Sequence, residues 1–136
     1  MTFILDTNVI SAVRRRHRAP QVAAWLAQQA DGDLFLSAIT IGEIARGVRR
    51  QESRDPTFAE DLRAWLERTT SVFADRIIPF EAPDARIWGR LSADIGHSGA
   101  DLMIAAQALS RGAIIVTGNT ADFEPTGVDT FDPFLS

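Results

Sequence analysis

Four carboxylates stand where a carboxylate can do chemistry. Asp6 ends the apolar run Thr2-Phe3-Ile4-Leu5 and is followed by Thr7 and Asn8. Glu43 lies one turn into the segment after Leu34-Phe35-Leu36, and Asp101 opens the run Leu102-Met103-Ile104-Ala105-Ala106-Gln107-Ala108-Leu109. Asp122 follows Ala113-Ile114-Ile115-Val116, within Thr117-Gly118-Asn119-Thr120-Ala121-Asp122-Phe123. Each has a structural role open to it. Asp6, Thr7 and Asn8 all suit a helix cap. Thr40-Ile41-Gly42-Glu43 and Ser98-Gly99-Ala100-Asp101 have capping-box spacing, and Asp122 can cap a turn before Phe123. One by one, capping is the simpler reading. Taken together it is not, because all four follow strand ends or open the helices beside them. In a parallel sheet those ends share one edge, the edge where such sheets bind ligands.

The elements that must position them alternate. Residues 2–5 lack polar alternation, as a strand buried on both faces does. Residues 7–16 read as a helix carrying Val9, Ile10 and Val13, and Pro20 starts another with Val22, Trp25 and Leu26. Leu34-Phe35-Leu36 is a second strand. Ile41, Ile44, Ala45 and Val48 then share one helical face. A helix from Asp55-Pro56, a strand Arg76-Ile77-Ile78-Pro79-Phe80 and a helix from Pro83 using Ile87, Trp88, Leu91 and Ile95 follow. Asp101 to Ser110 is apolar almost all round, which predicts a central helix closed by Gly112. Residues 113–116 form a fourth strand and residues 128–131 a short fifth. This alternation predicts right-handed βαβ units. The expected fold is a three-layer α/β/α sandwich with a mostly parallel central sheet of four to five strands, one domain over residues 1–136.

Composition narrows the chemistry. The 136 residues are 46% hydrophobic and 24% charged, with no cysteine; disulfides and thiolate metal sites are excluded. With neither an export signal nor a membrane-length apolar run, a cytoplasmic, non-membrane protein is expected. Net charge is −4, which argues against a bulk electrostatic grip on nucleic acid. All 14 basic residues are Arg, so no catalytic lysine is available. Seven of them cluster as Arg14, Arg15, Arg16, Arg18 and Arg46, Arg49, Arg50. Their forks suit phosphate or carboxylate; helix ends complementing the dipole are the plainer alternative. His17 and His97 read as surface residues.

Gathering four acids is costly, since two unit charges about 4 Å apart repel by on the order of 4 kcal/mol at an effective dielectric near 20. Such a cluster persists when some acids are protonated or a cation lies among them. An all-oxygen donor set selects a hard cation, Mg²⁺ or Mn²⁺. Mg²⁺ bound by a few carboxylates suits phosphodiester chemistry.

The motifs Ile4-Leu5-Asp6-Thr7-Asn8-Val9-Ile10, Thr40-Ile41-Gly42-Glu43-Ile44, Asp101-Leu102-Met103-Ile104-Ala105-Ala106 and residues 117–123 occur in the order found in PIN domains. Over essentially its whole length the chain resembles the VapC/FitB-type toxins of bacterial toxin–antitoxin pairs. The resemblance implies a Mg²⁺- or Mn²⁺-dependent endoribonuclease that hydrolyses RNA by a metal-activated water. It carries over Asp6, Glu43, Asp101 and Asp122 as the metal-binding and catalytic acids. Thr117 and Asn119 match positions that place substrate or water, and Asn8 supports Asp6. A homodimer and an inhibiting cognate antitoxin are implied as well, with Arg14, Arg15, Arg46, Arg49 and Arg50 as contacts to RNA or antitoxin. Gly118, where relatives often carry Arg, Asn119, which is Asp in some, and the Ser-Gly-Ala lead-in to Asp101 depart from the pattern and bear on the number of metals. Two other readings compete. A phospho-acceptor domain would need a lysine the chain lacks. A PIN-like RNA- or protein-binding module with weak or no catalysis would not need all four acids.

Overall fold

Among the described residues five short strands make one sheet, and every pairing in it is parallel. In this computed structural model residues 1–135 are described, with Arg16 described by its backbone alone; the Arg16 side chain, part of the first arginine cluster, lies outside the described residues. The strands are β1 (Phe3–Leu5), β2 (Leu34–Ser37), β3 (Ile77–Ile78), β4 (Ile114–Val116) and β5 (Thr130–Phe131), ordered β3-β2-β1-β4-β5. The helices are α1 (Thr7–Arg14), α2 (Pro20–Ala27), α3 (Ala38–Gln51), α4 (Pro56–Val72), α5 (Ala82–Ile95), α6 (Ala100–Arg111) and α7 (Thr120–Phe123). Among the described residues no helix is long and apolar enough to cross a membrane.

Alternation along β1 builds the layers. Phe3 and Leu5 point to one face, where they meet Val9, Ile10, Val22 and Ile44 with Trp25 and Trp65 against them. Ile4 points to the other, among Ile78, Ile104, Ala105, Ala108, Ile115 and Phe123. The sandwich is therefore α/β/α as expected. Ile4, Ile104 and Ile115 are fully buried, each such side chain contributing about 1.5–3 kcal/mol.

Several boundaries differ from the sequence expectation, for local reasons. The helix expected over residues 7–16 ends at Arg14, and Arg16–Arg18 form a separate 3-10 turn. The third strand shrinks to Ile77–Ile78 and the fifth to Thr130–Phe131. Neither supposed capping box around the acids exists. Ser37 caps α3, its hydroxyl accepting from the Ile39 N–H at 3.0 Å, so Thr40 lies inside the helix. Gly99 is the N-cap of α6, with no side-chain cap bond. Glu43 and Asp101 are thereby released from a capping role.

Two polar groups inside the fold explain how α6 is held. Gln107 is buried in that otherwise apolar helix. Its Nε2 donates to the Ile78 and Pro79 carbonyls, both at 3.1 Å, and its Oε1 accepts from Ser37 at 2.5 Å. Asp84, 1% exposed, accepts from the Glu81 N–H at 2.8 Å, Ser110 at 2.5 Å and Arg111 at 2.7 Å. Burial pushes its carboxyl up, but Arg111, Ser110 and Glu81 together hold it below the usual carboxylate range. Asp84→Asn is expected to cost about 2–3 kcal/mol at neutral pH, less than a fully buried pair because Arg111 is 26% exposed. A carboxyl held below its unfolded value stabilises above that value and loses the contribution as pH falls through the folded one. Urea midpoints of wild type and variant should therefore converge in acid.

Candidate active site

Asp6 follows β1 directly and serves as the N-cap of α1, 6% exposed. Its Oδ1 accepts from the Thr7 N–H at 2.8 Å and its Oδ2 from the Thr117 hydroxyl at 2.8 Å. Thr117 follows β4, the strand beside β1, and is wholly buried. Its one hydroxyl donates to Asp6 and accepts from Asn8 Nδ2 at 3.4 Å and the Asn119 N–H at 3.0 Å. That uses the one donor and both acceptor sites of a hydroxyl. Asn8 Oδ1 in turn accepts from the Gly118 N–H at 3.2 Å. Asn8, Thr117 and Asn119 thus lock the loop after β4 onto the start of α1.

Glu43, one turn and a half into α3, faces the same space, and the Thr7 hydroxyl donates to its Oε1 at 3.3 Å. Asp6, Thr7, Asn8, Ser11, Glu43, Asp101 and Asn119 line an open cleft of about 430 Å³. Asp101, the second residue of α6, completes its acidic wall. Asp122, on α7, is exposed outside this lining, close enough to Asp101 for its charge to be felt there.

The acids disturb one another. Glu43 stands on an exposed rim, yet the cleft still strips water from its carboxyl. That desolvation raises its pKa, the charges of Asp6 and Asp101 add to the rise, and Thr7 and Arg46 oppose it. Desolvation likewise raises Asp101, with Asp6 and Asp122 adding and His97 opposing. Among the described residues no three acid or histidine side chains converge as a ready cation cage. The donors are all oxygen, crowded enough to disfavour their own charge and spaced openly. This fits a hard cation that keeps waters between itself and some carboxylates.

Sequence reasoning found the acids, Asn8, Thr117 and Asn119, and missed others. Ser11 carries no motif; only its i, i+4 spacing from Thr7 on α1 signals that it faces the cleft. His97, expected at the surface, is exposed as expected, and a positive charge on it opposes the rise at Asp101. Gly118 has a steric reason, since a Cβ there would lie 2.9 Å from the Phe134 ring. Of the arginines, Arg14 stacks over Phe58 and Trp65 at 5.2 and 5.8 Å, and Arg49 pairs with Glu52 at 3.0 Å. Arg15, Arg46 and Arg50 are exposed.

Thr117→Val is expected to leave Asp6 Oδ2, Asn8 Nδ2 and the Asn119 N–H without their shared partner, costing about 2–3 kcal/mol. Thr117→Ser should restore most of it, read as denaturant midpoints of the two variants.

The profile of the PIN domain matches residues 3–127. A stretch of 67 residues is 49% identical to ribonuclease VapC14 of Mycobacterium tuberculosis, covering 49% of this chain and 65% of that one. The VapC ribonuclease Y4jK of Sinorhizobium fredii is 33% identical, with 96% of each chain covered. In structure the chain is similar to FitAcB from Neisseria gonorrhoeae, with a TM-score of 0.84, 33% identity and 99% and 100% of the two chains covered; FitB of that organism is named a toxin. With the acidic edge, the strand order and these likenesses in agreement, the chain belongs to the PIN domain family.

Proposed function

We propose that the chain, acting as one PIN-like domain over residues 1–136, is a Mg²⁺- or Mn²⁺-dependent endoribonuclease and the toxin of a toxin–antitoxin pair. It works in the cytoplasm as a homodimer and is held in check by a cognate antitoxin. The observation that carries this reading is the acidic edge: Asp6 fixed by two hydrogen bonds, with Glu43 and Asp101 lining the same cleft and Asp122 beside it. The names of similar chains, ribonuclease and toxin, support the substrate class and biological role. The FitAB structure with a DNA fragment supports an antitoxin partner.

Asp6 and Asp101 would hold the ion, with Glu43 and Asp122 engaged directly or through water. A bound Mg²⁺ or Mn²⁺ supplies Lewis acidity, making water a nucleophile at neutral pH and steadying charge on the phosphate. Asp6 offers a rigid seat because both oxygens are already tethered while each keeps lone-pair capacity. Glu43, held at the cleft by its tie to Thr7, orients the attacking water and takes up the proton it loses. Hydrolysis adds that water at phosphorus as the P–O bond to the leaving nucleotide breaks. Asn8 and Thr117 touch no substrate in this scheme; they keep Asp6 still.

Asp6→Asn is expected to lower Mn²⁺-dependent RNA cleavage by more than about 100-fold, the upper end of what loss of even an outer-shell partner costs. Equal cleavage by wild type and variant would falsify the site. Asp101→Asn gives the opposite sign in stability. Acids whose folded pKa is raised contribute stability in acid that is lost as pH rises through the raised value. In EDTA at pH 7 the variant should therefore melt higher than wild type, by about 3 °C for each kcal/mol relieved, while losing the Mn²⁺-induced rise in Tm that wild type shows.

A further inference from the structure

A second cavity, about 500 Å³, adjoins the acid cleft. Its walls include Arg14, Arg15, Arg18, Phe58 and Phe134, and Ser11 lines both spaces. The connection follows from helix geometry. Thr7, Ser11 and Arg14 or Arg15 recur at i, i+4 and i+7 or i+8 on α1. With a rise of 1.5 Å per residue, the guanidinium row begins about 10 Å along the axis from Thr7. Arg18 extends it through the 3-10 turn.

Arg49, Arg63, Arg76 and Arg111 each meet an acid. Like several other arginines, Arg14, Arg15 and Arg18 meet none among the described residues, but these three line one cavity together. The Arg14 guanidinium lies over the Phe58 and Trp65 rings at 5.2 and 5.8 Å, which fixes its plane and leaves its N–H fork open. A pre-oriented fork is the form in which Arg binds phosphate bidentately.

We infer that this groove is a phosphate subsite of the substrate strand. Arg14, Arg15 and Arg18 hold the backbone of single-stranded RNA on one side of the bond being cut, and Phe58 and Phe134 offer ring surface to its bases. The inference rests on the ribonuclease reading above. Nucleic acid fits better than an acidic protein because the groove runs on into a cleft of carboxylates. A polynucleotide carries a phosphate at every residue, so one strand can meet the arginines and the cleft together.

The test uses a fluorescein-labelled single-stranded RNA of mixed sequence, bound to uncleaving Asp6→Asn protein and followed by anisotropy across salt. Each phosphate contact contributes about 0.7 to the slope of log K against log salt for a single strand. Adding Arg15→Ala and Arg18→Ala, both exposed positions, should make the slope about 1.4 shallower. Between about 50 and about 200 mM salt the parent then loses about sevenfold more affinity than the variant. Arg14→Lys, which keeps charge and ring contact but not the fork, should weaken binding with Tm unchanged. Equal slopes in parent and double variant overturn the subsite while leaving the nuclease reading intact, provided wild type cleaves RNA in Mn²⁺. A wild type that neither binds nor cleaves RNA overturns both. Polyglutamate binding that the double substitution abolishes, alongside unchanged RNA slopes, reassigns the groove to an acidic protein.

Discussion

One hydrogen bond, from the Thr117 hydroxyl to Asp6, closes the site. It joins the ends of β1 and β4, neighbours in the centre of the sheet and 111 residues apart in the chain. Parallel strands present their C-terminal ends together, so a polar side chain just after each is brought within reach by the ladder itself. Asp6 is still in that ladder, its N–H donating to the Val116 carbonyl at 2.9 Å. The side-chain bond then turns a backbone coincidence into a defined orientation. Asn8, Gly118 and Asn119 add donors and acceptors around it, leaving the Asp6 carboxylate little rotational freedom.

The rest of the site is under electrostatic tension that this framework resists. Glu43 and Asp101 come from helices on different sides of the sheet order, each anchored by apolar residues that have no stake in the cleft. Ile44 and Val48 hold α3, and Leu102, Ile104 and Ala105 hold α6. Hydrophobic burial thus forces together carboxylates that would otherwise separate, the usual exchange of stability for function in an active centre. The ion pair at the far end of α6, Arg111 with Asp84, offsets part of that cost well away from the acids.

The layer order and the acidic edge were legible because they depend on patterns that survive in one dimension. Unbroken apolar runs marked buried strands, and polar residues just after them marked the edge. The capping-box spacings at Thr40 and Ser98, open as an alternative in the sequence and absent from the fold, show the limit. Ser/Thr-x-x-acid spacing is indifferent to where a helix starts, and Ser37 and Gly99 had already started these two. Gln107 had no reading of its own in a run apolar almost all round. Its partners, Ser37 and the carbonyls of Ile78 and Pro79, lie far away in sequence. Ser11 and the unpaired state of Arg14 and Arg15 depend on which faces of α1 and α4 meet, and no local pattern in the chain carries that.

The strand order has a consequence for biosynthesis. Of the five strands β1 is made first yet occupies the middle of the sheet, and its partner β4 is made fourth. At ribosomal rates of about 5–20 residues per second, Asp6 waits on the order of ten seconds before Thr117 exists to bind it. Until then Asp6 lacks the Thr117 hydroxyl that orients its Oδ2. A chain stalled before β4 therefore carries Asp6, Glu43 and Asp101 in sequence but not the bond that closes the site.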